Sequence, residues 1–243
     1  VAYSGIICVD DTIHTITVNA SPLVQFTAMP GICVDAVPRQ ITQATETGGL
    51  PGNGVYTGPG VNATGLFDPA AAGVGVHTIR YTFTAANGCS HFLDQTIEVW
   101  ARPVAKLNVL APRCEKNAIT FNSNGSLPNS TNLTTWAWDF GDATPPVVAI
   151  NGNPVAHTYT NYGDYTASLT VTNNRGCVSL PEPLAVRVNP LPRVEFTLPK
   201  VCLPAGTANF SDISNIPDNS ESQFKYFWDF GDGFANPQGS DTA

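Results

Sequence analysis

The sequence predicts an all-β chain that forms a linear array of β-sandwich domains. The first observation is composition: 12% of the 243 residues are charged, and the chain holds 21 Gly and 20 Pro. β-Branched residues suit pleated strands, and Gly and Pro mark the turns between them. The second observation is that apolar residues alternate in short segments at roughly 8–12-residue spacing, without helical periodicity. The third is a regular spacing of cysteines, which indicates repeated domains.

The cysteines give the order of the array. Three gaps of 25 residues alternate with gaps of 56 and 63 residues, and the cysteines that define them are Cys8, Cys33, Cys89, Cys114, Cys177 and Cys202. Constant short gaps between longer variable ones are typical of a tandem repeat, with one cysteine near the start of each domain and one before its last strand.

This phasing predicts one disulfide in each complete domain. In the first, Cys33 would pair with Cys89, and in the second, Cys114 would pair with Cys177. Cys8 and Cys202 would then find their partners outside this sequence. The alternative is that all six are reduced, buried thiols, but regular spacing favours disulfides, which persist in oxidising, extracytoplasmic compartments.

Two segments before the second cysteine of each pair predict matching strands. They read GVGVHTIRYTFTAANGC, at Gly73–Cys89, and NYGDYTASLTVTNNRGC, at Asn161–Cys177. Period-2 alternation turns one set of side chains inward. That set is His77, Ile79, Tyr81 and Phe83 in the first segment and Tyr165, Ala167, Leu169 and Val171 in the second. A further strand follows each cysteine, and Pro-bearing linkers separate the units.

The chain therefore divides into four predicted parts. Residues 1–22 would be the last strands of a preceding domain, 23–102 and 103–191 two whole sandwiches, and 192–243 the front of a further domain. The sequence looks like a fragment of a longer array.

The motif WDFGD occurs twice, and its first copy could be a catalytic or a structural element. In TTWAWDFGD the alternation places Trp136, Trp138 and Phe140 on the core side of a strand, with Asp139 opposite and a turn at Gly141–Asp142. Asp before Gly usually accepts backbone N–H groups in turns, so we expect these acids to hold the turn. The alternative is a calcium site, but Ca²⁺ normally takes about six or more oxygens. We treat both copies as fold markers: Trp138, Asp139, Phe140, Gly141, Asp142, and Trp228, Asp229, Phe230, Gly231, Asp232.

With VAHTYTNYGDYTASLTVTNNRGC, at Val155–Cys177, this motif resembles the PKD domain, an immunoglobulin-like β-sandwich of extracellular proteins. Residues 103–191 match the family pattern nearly throughout, with Ala143 in place of the last Gly of the signature. Residues 192–243 match its front half. Residues 23–102 lack the motif and are similar to the immunoglobulin-like repeats found beside PKD domains in large surface proteins of gliding and biofilm-forming bacteria.

Several function classes lack their sequence signatures. The formal net charge of −8 argues against a nucleic-acid partner, and no apolar run reaches the ~18 residues of a membrane span. The histidines are dispersed, and we expect His77 and His157 to be hydrogen-bonded sandwich residues rather than metal ligands. Neither a nucleophile elbow nor a phosphate loop is present. We therefore predict no enzyme activity, catalytic residue, cofactor or metal.

Three functional hypotheses remain. The first is a non-catalytic structural or adhesive segment of a large secreted or cell-surface protein, an adhesin or surface filament, which contacts neighbouring domains, surface glycans or other proteins. The second, implied by the resemblance, is an accessory region of a secreted protease or polysaccharide hydrolase whose catalytic domain lies elsewhere. The third is self-assembly, in which a neighbouring chain adds a strand.

Overall fold

Strands dominate the part of the chain that the computed structural model describes, which is residues 14–130, 132–197 and 210–229. The predicted all-β class is confirmed. The chain separates into two compact units, Val1–Arg102 and Pro103–Ala243. The finer division into four parts stays a prediction.

The first unit is built around a four-stranded sheet in the order β2-β8-β7-β5, with two small two-stranded sheets, β1-β4 and β3-β6. Strands β7 and β8 form a long antiparallel hairpin, and β2 runs parallel to the end of β8. The elements are β1 (Val24–Phe26), β2 (Ile32–Cys33), β3 (Arg39–Gln40), β4 (Ala44–Glu46), β5 (Gly52–Thr57), β6 (Leu66–Phe67), helix α1 (Pro69–Ala72), β7 (Gly75–Ala85) and β8 (Ser90–Trp100).

The core of the first unit follows from the alternation in β7. Ile79, Tyr81 and Phe83 are buried as predicted, whereas His77, at the start of the strand, is only half-buried. The core contains further side chains from both small sheets and from the other strands of the four-stranded sheet, among them Phe26, Ile32, Tyr56, Phe67, Ile97 and Val99. Sheets with one buried face each produce this sandwich arrangement.

The second unit pairs a three-stranded sheet, in the order β13-β10-β9, with a four-stranded sheet, in the order β12-β11-β14-β15. All of their pairings are antiparallel. The strands are β9 (Asn108–Val109), β10 (Ala118–Asn122), β11 (Leu133–Asp139), β12 (Val147–Ala149), β13 (Val155–Thr158), β14 (Gly163–Asn173) and β15 (Glu182–Val188).

The two sheets of the second unit bury their facing side chains against each other. In β14, Ala167, Leu169 and Val171 are buried as predicted, and Tyr165 is half-buried. Both sheets contribute to one continuous core, including Ile119, Phe121, Trp136, Trp138, Leu169 and Val186. Burying an aliphatic or aromatic side chain stabilises the fold by about 1.5–3 kcal/mol, so this core outweighs any single turn in stability.

Beyond β15 the described chain holds three short elements: β16 (Phe196–Thr197), β17 (Ser211–Asp212) and a 3₁₀ turn at Glu221–Gln223. β16 and β17 pair antiparallel. Three aromatic rings meet beside this pair, since Trp228 lies 5.7 Å from Phe196 and 6.1 Å from Phe210 between ring centroids.

Candidate functional site

Strand β11 carries the first WDFGD motif into the core of the second unit. It lies inside the four-stranded sheet, where Trp138 is paired with Leu169 of β14 and with Val147 of β12. Trp138 is 1% exposed and Phe140 2% exposed, whereas Asp139 points to solvent. The alternation of the sequence therefore places the aromatic residues of the motif in the core.

The turn after β11 begins at Asp139, whose Oδ1 accepts the N–H of Gly141 at 2.9 Å. Gly141 has φ of +72°, in the left-handed region that favours glycine. A Cβ atom at this position would overlap the backbone carbonyl of Thr166 in β14. The turn thus needs glycine both for its conformation and for its close approach to the neighbouring strand.

Asp142 uses its two carboxylate oxygens in different directions. Oδ1 accepts the N–H of Thr144 at 3.1 Å and the hydroxyl of Thr144 at 2.6 Å. Oδ2 lies 2.7 Å from Nε2 of His157, which must donate to the ionised carboxylate. The side chain of Asp142 therefore holds its own turn and also reaches a residue of strand β13.

This second bond connects the two sheets of the unit. β11 belongs to the four-stranded sheet, and His157 lies in β13 of the three-stranded sheet. The imidazole stacks on Phe140, with ring centroids 3.9 Å apart and an interplanar angle of 5°. Tyr159, directly after β13, donates its hydroxyl to the carbonyl of Phe140 at 2.9 Å. We call Phe140, Asp142, His157 and Tyr159 the inter-sheet clamp.

The electrostatics of the clamp favour a charged Asp142 and a neutral Tyr159. Burial raises the pKa of Asp142, but hydrogen bonds from Thr144 and His157 outweigh it, so the pKa lies below its ordinary value. Burial, together with the nearby Asp142 charge, raises the pKa of Tyr159 far above its ordinary value. At neutral pH the carboxylate accepts and the phenol donates, as the observed hydrogen bonds require.

The histidine positions agree with the expectation of hydrogen-bonded sandwich residues. His77 Nε2 lies 2.8 Å from the carbonyl of Gly73, and His157 contacts Asp142. The link between His157 and Asp142 was not foreseen from the sequence. The period-2 alternation that places His157 and Tyr159 on one face of the chain is the signal that could have suggested it.

The acids of the turn are engaged within the protein. Among the residues that the structure describes, no group of three or more His, Cys, Asp or Glu side chains is arranged to hold a metal ion. What the arrangement does chemically is fix a turn and join two sheets. Of the second motif copy, Trp228 and Asp229 lie in the described part of the chain, whereas Phe230, Gly231 and Asp232 lie outside it.

The predicted cysteine pairing is wrong. Cys33 and Cys177 are disulfide-bonded, but Cys89 and Cys114, both in the described part of the chain, carry free thiols. Disulfide bonding is therefore present, as predicted, but neither a Cys33–Cys89 nor a Cys114–Cys177 bond forms. Cys8 and Cys202 lie outside the described residues.

Strand length explains why neither predicted bond forms. Cys33 is paired with Trp100, the last residue of β8, whereas Cys89 directly precedes Ser90, the first residue of that strand. At about 3.3 Å per residue, this strand separates them by about 35 Å. A disulfide needs Cα atoms about 4.4–6.8 Å apart.

The second unit repeats this separation. Cys114 forms a parallel bridge with Asn189, just beyond the end of β15, whereas Cys177 lies in the loop between β14 and β15. The two cysteines again lie at opposite ends of a long hairpin, which separates them by about 35 Å at the rise of a strand. The constant 25-residue spacing identified cysteines at equivalent positions of the two units, but it did not identify cysteines that are close in space.

None of the helices in the described part of the chain is long and apolar enough to cross a membrane. Comparison with solved structures finds the PKD1 domain of Vibrio anguillarum Epp, at 25% identity over 36% of this chain and 93% of that one, with a TM-score of 0.31. The PKD1 domain from Vibrio cholerae metalloprotease PrtV is 22% identical over 36% of this chain and 96% of that one, with a TM-score of 0.31. Fibronectin(III)-like modules of Clostridium thermocellum CbhA are 10% identical over 69% of this chain and 95% of theirs, with a TM-score of 0.35.

The family comparison falls on the unit that contains the clamp. The segment from residue 100 to residue 188, with the first WDFGD turn and His157, matches the family described as PKD domain.

Proposed function

We propose that this chain is a non-catalytic structural and adhesive segment of a large extracellular or cell-surface protein. Its β-sandwiches would act as spacing and load-bearing elements, and their exposed strand faces would contact surface glycans or other proteins. An array of PKD domains and bacterial immunoglobulin-like repeats in an adhesin or surface filament is the arrangement that fits this role. The disulfide-bonded state of Cys33 and of Cys177 supports an oxidising compartment.

One observation carries the proposal: Asp142, an acid of the motif that looked most like a catalytic group, belongs to the inter-sheet clamp. Asp142 is 12% exposed at its side chain and His157 14%, and they bond to each other. A general acid or base must reach a substrate proton, but here both groups are committed to joining two sheets. The arrangement suits a domain whose task is to remain folded while its ends are pulled.

Single-molecule force spectroscopy on the full chain tests the mechanical role. We expect D142A to lower the unfolding force of one sandwich, because the bond between β11's turn and β13 is lost. The matched control is D164A, which removes an exposed carboxylate that pairs with Arg187 at 2.7 Å. Equal unfolding forces in wild type, D142A and D164A would contradict a load-bearing clamp.

An activity assay tests the non-catalytic part. The chain is incubated with a casein substrate and with a set of chromogenic polysaccharides, alongside D139N and D142N. We expect no release of product above buffer in any sample. Turnover by the wild-type chain that D142N abolishes would show that the turn is an active site and that the proposal is wrong.

A further inference from the structure

An open aromatic groove lies beside the pair of strands β16 and β17. Its volume is about 900 Å³, and its apolar wall includes Phe196, Phe210 and Trp228. Phe196 is 47% exposed and Phe210 is 36% exposed, and Trp228 is only half-buried. Soluble proteins rarely expose a contiguous apolar surface of this kind, and where they do it often marks an interaction site.

The groove repeats a part of the sandwich that strands β9 to β15 form. Phe196 and Phe210 directly precede the two partners of a residue pair between β16 and β17. Leu107 and Phe121 directly precede the two partners of an equivalent pair between β9 and β10. The tryptophan of a WDFGD motif completes each set. The groove therefore presents side chains whose equivalents form the core of a sandwich.

In the sandwich of β9 to β15 these equivalent positions are covered. Leu107, Phe121 and Trp138 are each at most 3% exposed. They share one core with alternating side chains of β14 and β15, among them Val186 and Val188. Strands with apolar residues at every second position are thus what covers this aromatic surface.

Residues 14–18 have such an alternating pattern and expose it. They read HTITV, none of them lies in a strand, and Ile16 and Val18 are 84% and 89% exposed. Strand β8 contains the similar sequence QTIEV, at residues 95–99, in which Ile97 and Val99 are buried. Residues 14–18 thus have the sequence of a sandwich strand, but their apolar face is open to solvent.

We propose that residues 14–18 of one copy of this chain bind as a strand in the groove of a second copy. Ile16 and Val18 lie against the aromatic wall, and Thr15 and Thr17 face the solvent. Adding a strand to an incomplete sheet is an established mode of recognition, in which alternate side chains fill the pockets.

The charges of the two surfaces agree with this occupant. The described lining of the groove includes three carboxylates and one ammonium group: Glu195, Asp212, Asp229 and Lys225. Residues 14–20, with the sequence HTITVNA, contain no acidic side chain. This segment therefore avoids the repulsion that an acidic strand would meet in the groove.

The strand and the groove are different surfaces, so the contact is heterologous. Each copy offers its strand to one neighbour and its groove to another, which gives a growing chain of copies rather than a closed dimer. The proposal goes beyond the mechanical role of the inter-sheet clamp and does not depend on it, since no clamp residue takes part.

Sedimentation velocity of the full chain from about 1 μM to about 1 mM tests the association. The free thiols of Cys89 and Cys114 are first alkylated, so that they do not link copies. We expect oligomers that grow with concentration in the wild type and in T15A/T17A, the matched control on the other face of the strand. I16S/V18S should associate at least about tenfold more weakly, because the buried apolar area is lost.

Three results of this measurement would overturn the proposal. The first is a wild type that stays monomeric over the whole range, and the second is a T15A/T17A variant that weakens as much as I16S/V18S. The third is a monomeric wild type whose tryptophan fluorescence changes with added soluble glycans, which would assign the groove to a sugar.

A mixture of two variants tests the direction of the contact, at a concentration where the wild type forms oligomers. I16S/V18S keeps its groove, and F196E/F210E keeps its strand but places two charges in the groove. Each alone should be monomeric, whereas an equal mixture should form a dimer that grows no further. The mixture uses only the groove of the first variant and the strand of the second, so a local loss of structure around Phe196 does not affect the result.

Hydrogen exchange locates the contact within this mixed dimer. It should slow at residues 14–18 of F196E/F210E and at β16 and β17 of I16S/V18S. A mixture that stays monomeric, or protection confined to other segments, would overturn the proposal, because the wild type would then associate through other surfaces.

Discussion

Each of the two units holds a loop with a carboxylate, but they use that carboxylate differently. In the first unit Glu46, at the end of β4, accepts backbone N–H groups with both oxygens. Oε1 accepts from Leu23 at 3.1 Å and Gly48 at 2.9 Å, and Oε2 accepts from Gly49 at 2.8 Å and Leu50 at 3.2 Å. All four donors lie at the β1–β4 pair or in the loop that follows it.

In the second unit Asp142 gives one oxygen to its own turn and the other to His157 in the opposite sheet. The comparison shows that the same interaction, a carboxylate that accepts hydrogen bonds from backbone or side-chain donors, has two different structural consequences. Glu46 organises one loop, whereas Asp142 couples a loop to the packing of two sheets. Losing Asp142 should therefore affect a whole sandwich, and losing Glu46 only a local segment.

The largest expected effect is at Gly141, where the clamp turn meets β14. G141A should destabilise the second unit by about 3 kcal/mol or more, because a Cβ at φ of +72° is strained and also overlaps the Thr166 carbonyl. Urea unfolding followed by hydrogen–deuterium exchange of β11 and β14 peptides measures this.

The matched control is G176A in the hairpin loop. Gly176 has a similar φ of +83°, but a Cβ there meets no described atom within 4 Å. G176A should cost about 1–2 kcal/mol from left-handed strain alone. If both variants lose the same stability, close approach to Thr166 contributes nothing and the turn is looser than described.

The next effect is at Asp142. D142A should destabilise the second unit by about 2 kcal/mol, since it removes charge-assisted hydrogen bonds and leaves His157 without its acceptor in a partly buried position. Exchange should accelerate in β11 and in β13 together. D164A, on the exposed Asp164–Arg187 pair, should change stability by less than about 0.5 kcal/mol. Faster exchange confined to the turn would argue against coupling between sheets.

The pH dependence of stability also tests the contribution of Asp142. The pKa of Asp142 is lowered in the folded protein by hydrogen bonds that outweigh the effect of burial. Its contribution to stability is therefore fully present above the unfolded pKa of about 3.9 and is lost as pH falls through the lower folded value. Urea unfolding from pH 6 to pH 2 should show this acid-side loss in the wild type, with a shallower decline in D142A. If stability fell equally with pH in the wild type and in D142A, the ionised Asp142 carboxylate would not contribute to the stability of the fold.

Glu46 should give a smaller and more local effect. Burial raises its pKa, but backbone N–H groups outweigh this and the pKa is lowered. E46Q keeps one acceptor oxygen and replaces the other with an NH2 group, which cannot accept, so either the two donors to Oε1 or the two donors to Oε2 lose their acceptor. Hydrogen exchange should rise in the loop between β4 and β5 and stay unchanged in β7 and β8. Exchange that rises throughout the first unit would remove the distinction between the two carboxylates.

The sequence predicted those features that depend on local alternation. The inward faces of β7 and β14 and the burial of Trp138 and Phe140 follow from a period of two, which each strand expresses by itself. The pairing of the cysteines did not follow, because the repeat shows which positions are equivalent but not which are close in space. Hairpin length decides that, and it separates Cys33 from Cys89.

The inter-sheet clamp is a second feature beyond local pattern. Asp142 and His157 are 15 residues apart, and their contact depends on how β13 packs across from the turn after β11. Glu46 is a mixed case: three of its donors follow it within four residues, and only the N–H of Leu23 is brought to it by the pairing of β1 with β4. The contact between Asp142 and His157 needs tertiary geometry, whereas the turn role expected of Asp139 needs only the Gly that follows two residues later.

The smallest predicted effect concerns Ala143, which stands where the family pattern has glycine. Ala143 has φ of +64°, inside the left-handed region. That conformation costs a non-glycine residue about 1–2 kcal/mol. Glycine in its place would remove this cost, but it would also make the unfolded chain more flexible, which lowers the stability of the fold by about 0.4–1 kcal/mol. A143G should therefore stabilise the second unit by about 0.5 kcal/mol, measured as a higher urea midpoint at an unchanged slope. Combined with D142A the gain should persist, because the backbone strain at Ala143 does not depend on the carboxylate. A gain that vanishes in the double variant would show that Asp142 imposes this conformation, and the turn would then owe its shape to the clamp.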